Sequence, residues 1–179
     1  NNNTKYGAEY GLNYNPWCVM FIWWVFNRAG AGALFYGGGK VALCSALYNY
    51  HRARGQAVSA GALQDGDIVF FDFSGKKTAT DHVGIVESVS GSTVVTIEGN
   101  TSAGSGGNQA NGEGVYRRNR STSLILCAYR PAYSGTGSAA AAVSSSSGYS
   151  LSNFVRDVQA RIGAGVDGIA GSETLSKAP

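Results

Sequence analysis

The stretch Asn15-Pro16-Trp17-Cys18-Val19-Met20-Phe21-Ile22-Trp23-Trp24-Val25-Phe26-Asn27-Arg28-Ala29-Gly30 decides how the rest of the chain must fold. Asn15 is a favourable N-cap, Pro16 suits the first helical position where a missing N–H costs nothing, and Gly30 supplies a stop, so the pattern predicts one helix. From Trp17 to Phe26 it is apolar almost all round, as a fully buried helix is. The run is about half the ~20 apolar residues needed to cross a bilayer, and Asn27 and Arg28 follow at once, which argues for a core helix. Cys18 then lies in the first turn. There, unpaired backbone N–H groups and the positive end of the helix dipole favour thiolate over thiol and make a nucleophile. A small buried thiol that only fills space fits the same position, and the stretch by itself leaves both readings open.

Around this helix the composition describes a folded core: 179 residues, 44% hydrophobic and 14% charged, enough for one ordinary domain and an appendage. The net charge of +3 is small and the densest basic run is Arg117-Arg118-Asn119-Arg120, read as a solvated strand face, so no nucleic-acid partner is expected. Three widely spaced cysteines, Cys18, Cys44 and Cys127, form neither a disulfide framework nor a CxxC pair and are expected as free thiols. Asn1-Asn2-Asn3-Thr4-Lys5 lacks the basic start and apolar core of a signal peptide, so either another agent exports the protein or a leader is missing.

Upstream of the helix, residues 4–14 are aromatic and glycine-rich and read as a short helix or turn. Downstream, Val41, Cys44, Leu47, Tyr48 and His51 recur at three and four, predicting a helix from about Val41 to Arg54 that Gly55 ends. His51 on that face reads as packing, and Cys44, placed mid-helix, as structural. From Leu63 the period changes to two. Asp67 to Phe73, His82 to Val89, Thr93 to Glu98, Gly114 to Arg118 and Leu124 to Arg130 read as strands joined by short turns, with Cys127 in the core. Helices followed by an antiparallel sheet make the first 133 residues an α+β domain.

Residues 134–149 are low-complexity Gly, Ala and Ser and read as a linker. In residues 150–179, Phe154, Val155, Val158 and Ile162 form an amphipathic helix pattern and Val166 to Gly171 a turn into a second. About 30 residues fall below the ~40 usually needed for an independent core, so this piece is expected to pack on the first domain or to be incomplete.

Several chemistries lack their residues. Zinc hydrolysis wants three or four close ligands, and the only two histidines, His51 and His82, stand far apart with no HExxH. No GxSxG elbow is present for a serine hydrolase. Glu9, Glu87, Glu98 and Glu113 could supply a glycosidase pair in any fold, which neither supports nor excludes one. A thiol nucleophile is better specified, because it needs a base close in space and a group that orients the base. His82 opens one strand of a hairpin and Glu98 closes the other, equidistant from a turn centred near Ser90, so the two should lie opposite or nearly opposite on one face. Asp81 is the rival orienter, but neighbouring strand residues point to opposite faces.

Taken together, Asn15 to Phe21 with Trp24 and Ala29-Gly30, then Gly66-Asp67-Ile68-Val69-Phe70-Phe71, Asp81-His82-Val83-Gly84-Ile85-Val86 and Ile97-Glu98-Gly99-Asn100-Thr101 resemble the CHAP family of cysteine, histidine-dependent amidohydrolases/peptidases over roughly residues 4–133. The resemblance implies a papain-like α+β fold, N-terminal helices on an antiparallel sheet, that cleaves peptidoglycan between muramic acid and L-alanine or within the peptide. It implies Cys18 as nucleophile, His82 as base, Glu98 as orienter and Asn100 as a polar helper. Some relatives bind calcium through acidic residues ahead of the cysteine; here Asn13 and Asn15 stand there, so no metal or other cofactor is expected. Phe154 to Gln159, Asp167 to Gly171 and Thr174 resemble the start of helical peptidoglycan-binding repeats. The resulting expectation is a CHAP catalytic domain at 1–133, a linker at 134–149 and a partial wall-binding segment at 150–179. Its partner would be bacterial peptidoglycan and not membrane, as a monomer acting at the cell wall. A phage or prophage endolysin fits that plan, made in the host cytoplasm and released by a holin. A secreted autolysin and a noncatalytic wall-binding protein are the alternatives.

Overall fold

The computed structural model of the chain describes residues 2–133. The expected linker and the 150–179 segment lie outside them. Among the described residues the order is α1 (Lys5–Tyr10), α2 (Cys18–Arg28), α3 (Gly32–Tyr36), α4 (Cys44–Arg52), β1 (Ala57–Val58), β2 (Ile68–Phe71), β3 (His82–Ser90), β4 (Thr93–Thr101), β5 (Gly114–Ser121) and β6 (Ile125–Tyr129). The six strands form one antiparallel sheet in the order β1-β6-β2-β3-β4-β5, so the fold is α+β. No described helix is long and apolar enough to cross a membrane.

Alternation along the strands gives the sheet two apolar faces. Ile68, Phe70, Val83, Ile85 and Tyr129 pack with the helices, whereas Val69, Phe71, Val86, Val94, Ile125 and Ala128 form a second core with Leu63. That is why β2 is buried at every position. Helix α2 is the pillar of the first core: Val19, Met20, Ile22 and Phe26 are inaccessible, and the helix lies across β3 and β4. Gly99 permits the close approach, since a Cβ there would sit 2.5 Å from Phe21 Cβ.

Local starts differ from the sequence expectation. Tyr14 turns the chain with φ 65°, the Asn15 amide donates back to the Asn13 carbonyl, and Trp17 becomes the N-cap without a side-chain bond. Helix α2 therefore begins at Cys18 itself. Likewise α4 begins at Cys44 and not at Val41, because Leu43 is extended (φ -101°, ψ 128°). Cys44 is thus the first residue of its helix, not a mid-helix one. Helix α3 and strand β1 add elements that periodicity did not mark.

Candidate active site

Trp17 holds the start of α2 in place. It is buried and stacks on Tyr6 with ring centroids 4.9 Å apart, while Tyr6 also meets Phe21 and Trp24 edge-on. Each such ring pair contributes about 0.5–1.5 kcal/mol beyond burial, so the residue preceding Cys18 has little freedom. The Val19 backbone N–H, one of the orphan donors of a helix start, acts on the Cys18 thiol to favour its ionised form. Two side chains converge on it, the Cys44 thiol and the His82 imidazole. Cys44 has the largest influence on its acidity; together with His82 it outweighs burial and holds Cys18 well below the usual thiol range. Cys44 is pushed the opposite way, upward, chiefly by the influence of Cys18 and by burial.

His82 opens β3 and is completely buried. Its Nε2 lies 3.1 Å from Glu98 Oε2, though neither ring nitrogen makes a fully aligned hydrogen bond. Catalytic hydrogen bonds are commonly loose in this way before substrate binds. Burial alone would lower the imidazole pKa, but contacts with Cys18 and Glu98 overcome it and raise it to about 9. The arrangement therefore supports a thiolate facing an imidazolium.

Glu98 reaches His82 by a register other than the simplest one. Across β3 and β4, Ile85 faces Ile97 and Val86 faces Thr96, with a shift between Val86 and Ser88. The turn centres beyond Ser90, between Gly91 and Ser92, and past the shift Glu98 comes to face Gly84, not His82. A Cβ at Gly84 would lie 2.8 Å from Glu98 Cγ and 3.2 Å from Thr96 Cβ, so the glycine leaves the room through which the carboxylate leans to the histidine. Face and proximity follow the expectation; direct opposition does not.

Arg120 is the residue that sequence reasoning placed wrongly. It was expected on a solvated strand face. Instead it is only 7% exposed and grips Glu98 with two bonds, Nε to Oε1 at 2.9 Å and Nη2 to Oε2 at 2.6 Å. Thr96 Oγ1 donates to Oε1 at 2.6 Å, and the guanidinium lies 4.8 Å from the Phe73 ring, which also borders His82. Burial pushes the Glu98 carboxyl up, but the bonds from Arg120 and His82 more than offset it and keep the group below its ordinary value. Arg120 Nη1 and Arg118 Nη2 both donate to Gln109 Oε1, which ties the 102–113 loop to the same spot. The alternation of Arg118, Asn119 and Arg120 in β5 could have shown that Arg118 and Arg120 share a face, but not that Glu98 lies beneath it.

Asn100 follows two residues after Glu98, where the β4–β5 register shifts between Gly99 and Thr101. It is buried, has φ 63°, and neither carboxamide atom has a hydrogen-bond partner. A strained, unpaired buried amide is a common mark of a functional position. Asp81 is exposed, and its carboxylate accepts from the Phe73 backbone N–H. Glu9 is bound to Trp24 and Arg28, Glu87 to Arg117 and Glu113 to Ser102, each with its own partner away from Glu98. His51 bonds Gln56 and the Phe35 carbonyl and stacks on Tyr129, a packing role. Among the described residues no group of three or more His, Cys, Asp or Glu side chains is placed to hold a metal ion.

Comparison with curated proteins and with solved structures gives no match. The family model described as CHAP domain matches residues 9–100, just over half the chain, a span that holds Cys18, Cys44, His82, Glu98 and Asn100 but stops short of Arg120. A CHAP domain acts on peptidoglycan as an amidase or peptidase, and with an α+β fold, a cysteine at the head of the central helix and a histidine and glutamate beside it, this chain belongs to the CHAP family.

Proposed function

We propose that the protein hydrolyses an amide bond of peptidoglycan by cysteine nucleophilic catalysis, with Cys18 as nucleophile, His82 as acid and base, Glu98 as orienter and Asn100 as a helper. The observation that carries this is the buried chain of contacts from Cys18 through His82 to Glu98, in which Nε2 stands 3.1 Å from the carboxylate. A thiolate at a helix start paired with an oriented imidazolium is what thiol acyl transfer needs.

The steps follow from these groups. The Cys18 thiolate attacks the amide carbonyl carbon, a C–S bond forms, and the carbonyl electron pair moves onto oxygen. Backbone N–H at the start of α2 and the unpaired Asn100 amide are the donors available to that oxyanion; one such donor contributes about 10²–10³ in rate. Collapse breaks the C–N bond as imidazolium His82 delivers its proton to the departing amine. His82, now neutral, takes a proton from water, whose oxygen attacks the thioester and releases Cys18 as thiolate. Glu98 keeps the ring in the required tautomer and stabilises its cationic form.

A phage or prophage endolysin that works at the wall as a monomer is the form this reading takes. The low-complexity 134–149 stretch and the likeness of 150–179 to the start of peptidoglycan-binding repeats support it. The test is Cys18→Ser, which should abolish clearing of a purified wall suspension while the protein still sediments with walls. Clearing by Cys18→Ser would overturn the mechanism. Mass spectrometry of the new end groups in the digest distinguishes muramoyl–alanine cleavage from cleavage within the peptide.

A further inference from the structure

Phe71 closes β2 and Phe73 stands two residues on, so the alternation of the strand carries both to one face. Their rings stack, with centroids 5.6 Å apart and planes 10° from parallel. Both cationic groups beside Glu98 rest on this pair. The His82 ring centre lies 5.8 Å from that of Phe73 and 6.4 Å from that of Phe71, and the Arg120 guanidinium carbon lies 4.8 Å and 5.8 Å from the same two rings. Glu98 spans the two cations, 3.1 Å from His82 Nε2 and 2.6 Å from Arg120 Nη2. Phe71, His82 and Glu98 are fully buried and Phe73 only partly, so Phe73 is the outer member of this wall. Asp81 holds it there. Its Oδ2 accepts the Phe73 backbone N–H at 2.9 Å, and its own N–H donates to the Phe71 carbonyl at 2.8 Å.

We propose that Phe73, latched by Asp81, is a positioning residue of the hydrolysis: its ring closes the His82–Glu98–Arg120 line against water and stabilises the charged form of His82. This rests on His82 being the acid and base of the reading above. A ring attracts a cation within about 6 Å of its centre, and more strongly where water is excluded. Both cations fall inside that range. Leucine in place of Phe73 would still be apolar but would lack the ring's charge distribution, so the two contributions can be separated. The other groups around His82 are Cys18 of α2, on which Cys44 of α4 acts, Glu98 of β4, and Arg120 of β5 with Arg118 beside it. In the 72–81 segment Asp72 accepts from the Ser74 and Thr78 N–H groups, Lys77 donates to the Ser123 and Ile125 carbonyls, and Asp81 is taken up by Phe73. A Phe73 variant alters none of these residues. Losing a group that favours imidazolium lowers the pH at which His82 gives up its proton, from about 9, so the alkaline limb of hydrolysis moves down.

The test uses the full chain, with wall clearing across pH and nuclear magnetic resonance of the imidazole nitrogens. His51 and His82 are the only histidines, and the spectrum of His82→Ala assigns them. Phe73→Leu, folded by circular dichroism, should release the His82 proton about half to one pH unit lower, with the alkaline limb of clearing moving alongside. Phe73→Tyr keeps the ring and should keep both midpoints. Asp81→Ala removes the latch from an exposed position, so it reports even where Phe73→Leu does not fold. It should shift the His82 midpoint the same way by less, and add nothing in the Phe73→Leu background. Asp81→Asn removes the charge while keeping an acceptor, and should not shift it. An unmoved His82 midpoint in folded Phe73→Leu, an equal shift in Phe73→Tyr, or equal shifts in Asp81→Ala and Asp81→Asn would each overturn the proposal. A resonance midpoint that moves while the clearing limb stays put would keep the ring's effect on His82 and strike instead at the catalytic reading.

Discussion

Arg120 on β5 holds the Glu98 carboxylate of β4 in a two-point grip, 2.9 Å and 2.6 Å, beneath the reach of solvent, while the same carboxylate stands 3.1 Å from His82. Glu98 thus divides one negative charge between a permanent cation and a titrating one. The guanidinium keeps the carboxylate ionised in a place where burial would otherwise protonate it, and the fork fixes the plane in which it meets the imidazole. On the proposed mechanism, Arg120 is a positioning residue that acts through Glu98.

Arg120→Gln should therefore do more than remove a strand charge. Breaking a buried pair by deleting one partner leaves an uncompensated charge and costs about 3–5 kcal/mol, to be read as a drop in the urea midpoint. The Glu98 carboxyl should rise, so the acid limb of wall hydrolysis moves to higher pH, a shift that a purely structural role would not produce. Arg120→Lys restores the charge without the fork and should recover the pH profile only in part. An unchanged acid limb in Arg120→Gln would separate Arg120 from the site.

The pH dependence of the unmodified protein has its own signature. The proposed mechanism requires thiolate and imidazolium together. Activity then rises with pH as Cys18 loses its proton, at a pH well below the usual thiol range, and falls as His82 loses its proton near about 9. Initial rates of clearing across pH should give a broad plateau ending near 9. Iodoacetamide at neutral pH should label Cys18 far faster than Cys44, which is pushed up, or Cys127, raised to about 11. A rate that falls through the ordinary histidine range near 6.5, or equal labelling of the three thiols, would contradict the ion pair.

Gly84 offers a test by volume alone. An added Cβ meets Glu98 Cγ at 2.8 Å and Thr96 Cβ at 3.2 Å, so a neighbour must shift. Gly84→Ala should cost about 1–3 kcal/mol through overpacking and, because a displaced carboxylate no longer aligns His82, about 10²-fold in hydrolysis. The measurement is turnover at a temperature where circular dichroism shows the variant folded. Full turnover there would mean that the carboxylate need not lean past Gly84.

What could be read from the sequence was local. Spacing about a turn put His82 and Glu98 on one face, and the apolar stretch after Trp17 made α2 the core with Cys18 in its first turn. What could not be read depended on distant register. The bulge that shifts Glu98 to Gly84 and the pairing of β4 with β5 that lays Arg120 over Glu98 leave no mark in either strand alone. The place of Cys44 at a helix start was hidden for a different reason: spacings of three and four from Val41 onward look the same whether a helix starts at 41 or 44. Asn15 misled because an Asx-type bond back to Asn13 competes with capping.

The orienting residue is the remaining choice, and the structure sharpens how Glu98, Asn100 and Asp81 differ. Asp81 is exposed and occupied by the Phe73 N–H, so Asp81→Asn should be the mildest. Glu98→Gln removes the charge that supports imidazolium, a loss of about 10² or more in turnover. It also leaves Arg120 buried without its carboxylate, so a lower unfolding midpoint should accompany it. Asn100 is bonded to nothing through its side chain, and deleting a buried unpaired amide carries no lost bond. Placing Ala at φ 63° would add backbone strain, which Asn100→Gly avoids. Asn100→Gly should therefore hold its midpoint while losing about 10-fold in turnover, less than Glu98→Gln. If Asn100→Gly proved the more damaging of the two, with folding intact, the third member of the triad would be Asn100, and Glu98 would serve chiefly to neutralise Arg120.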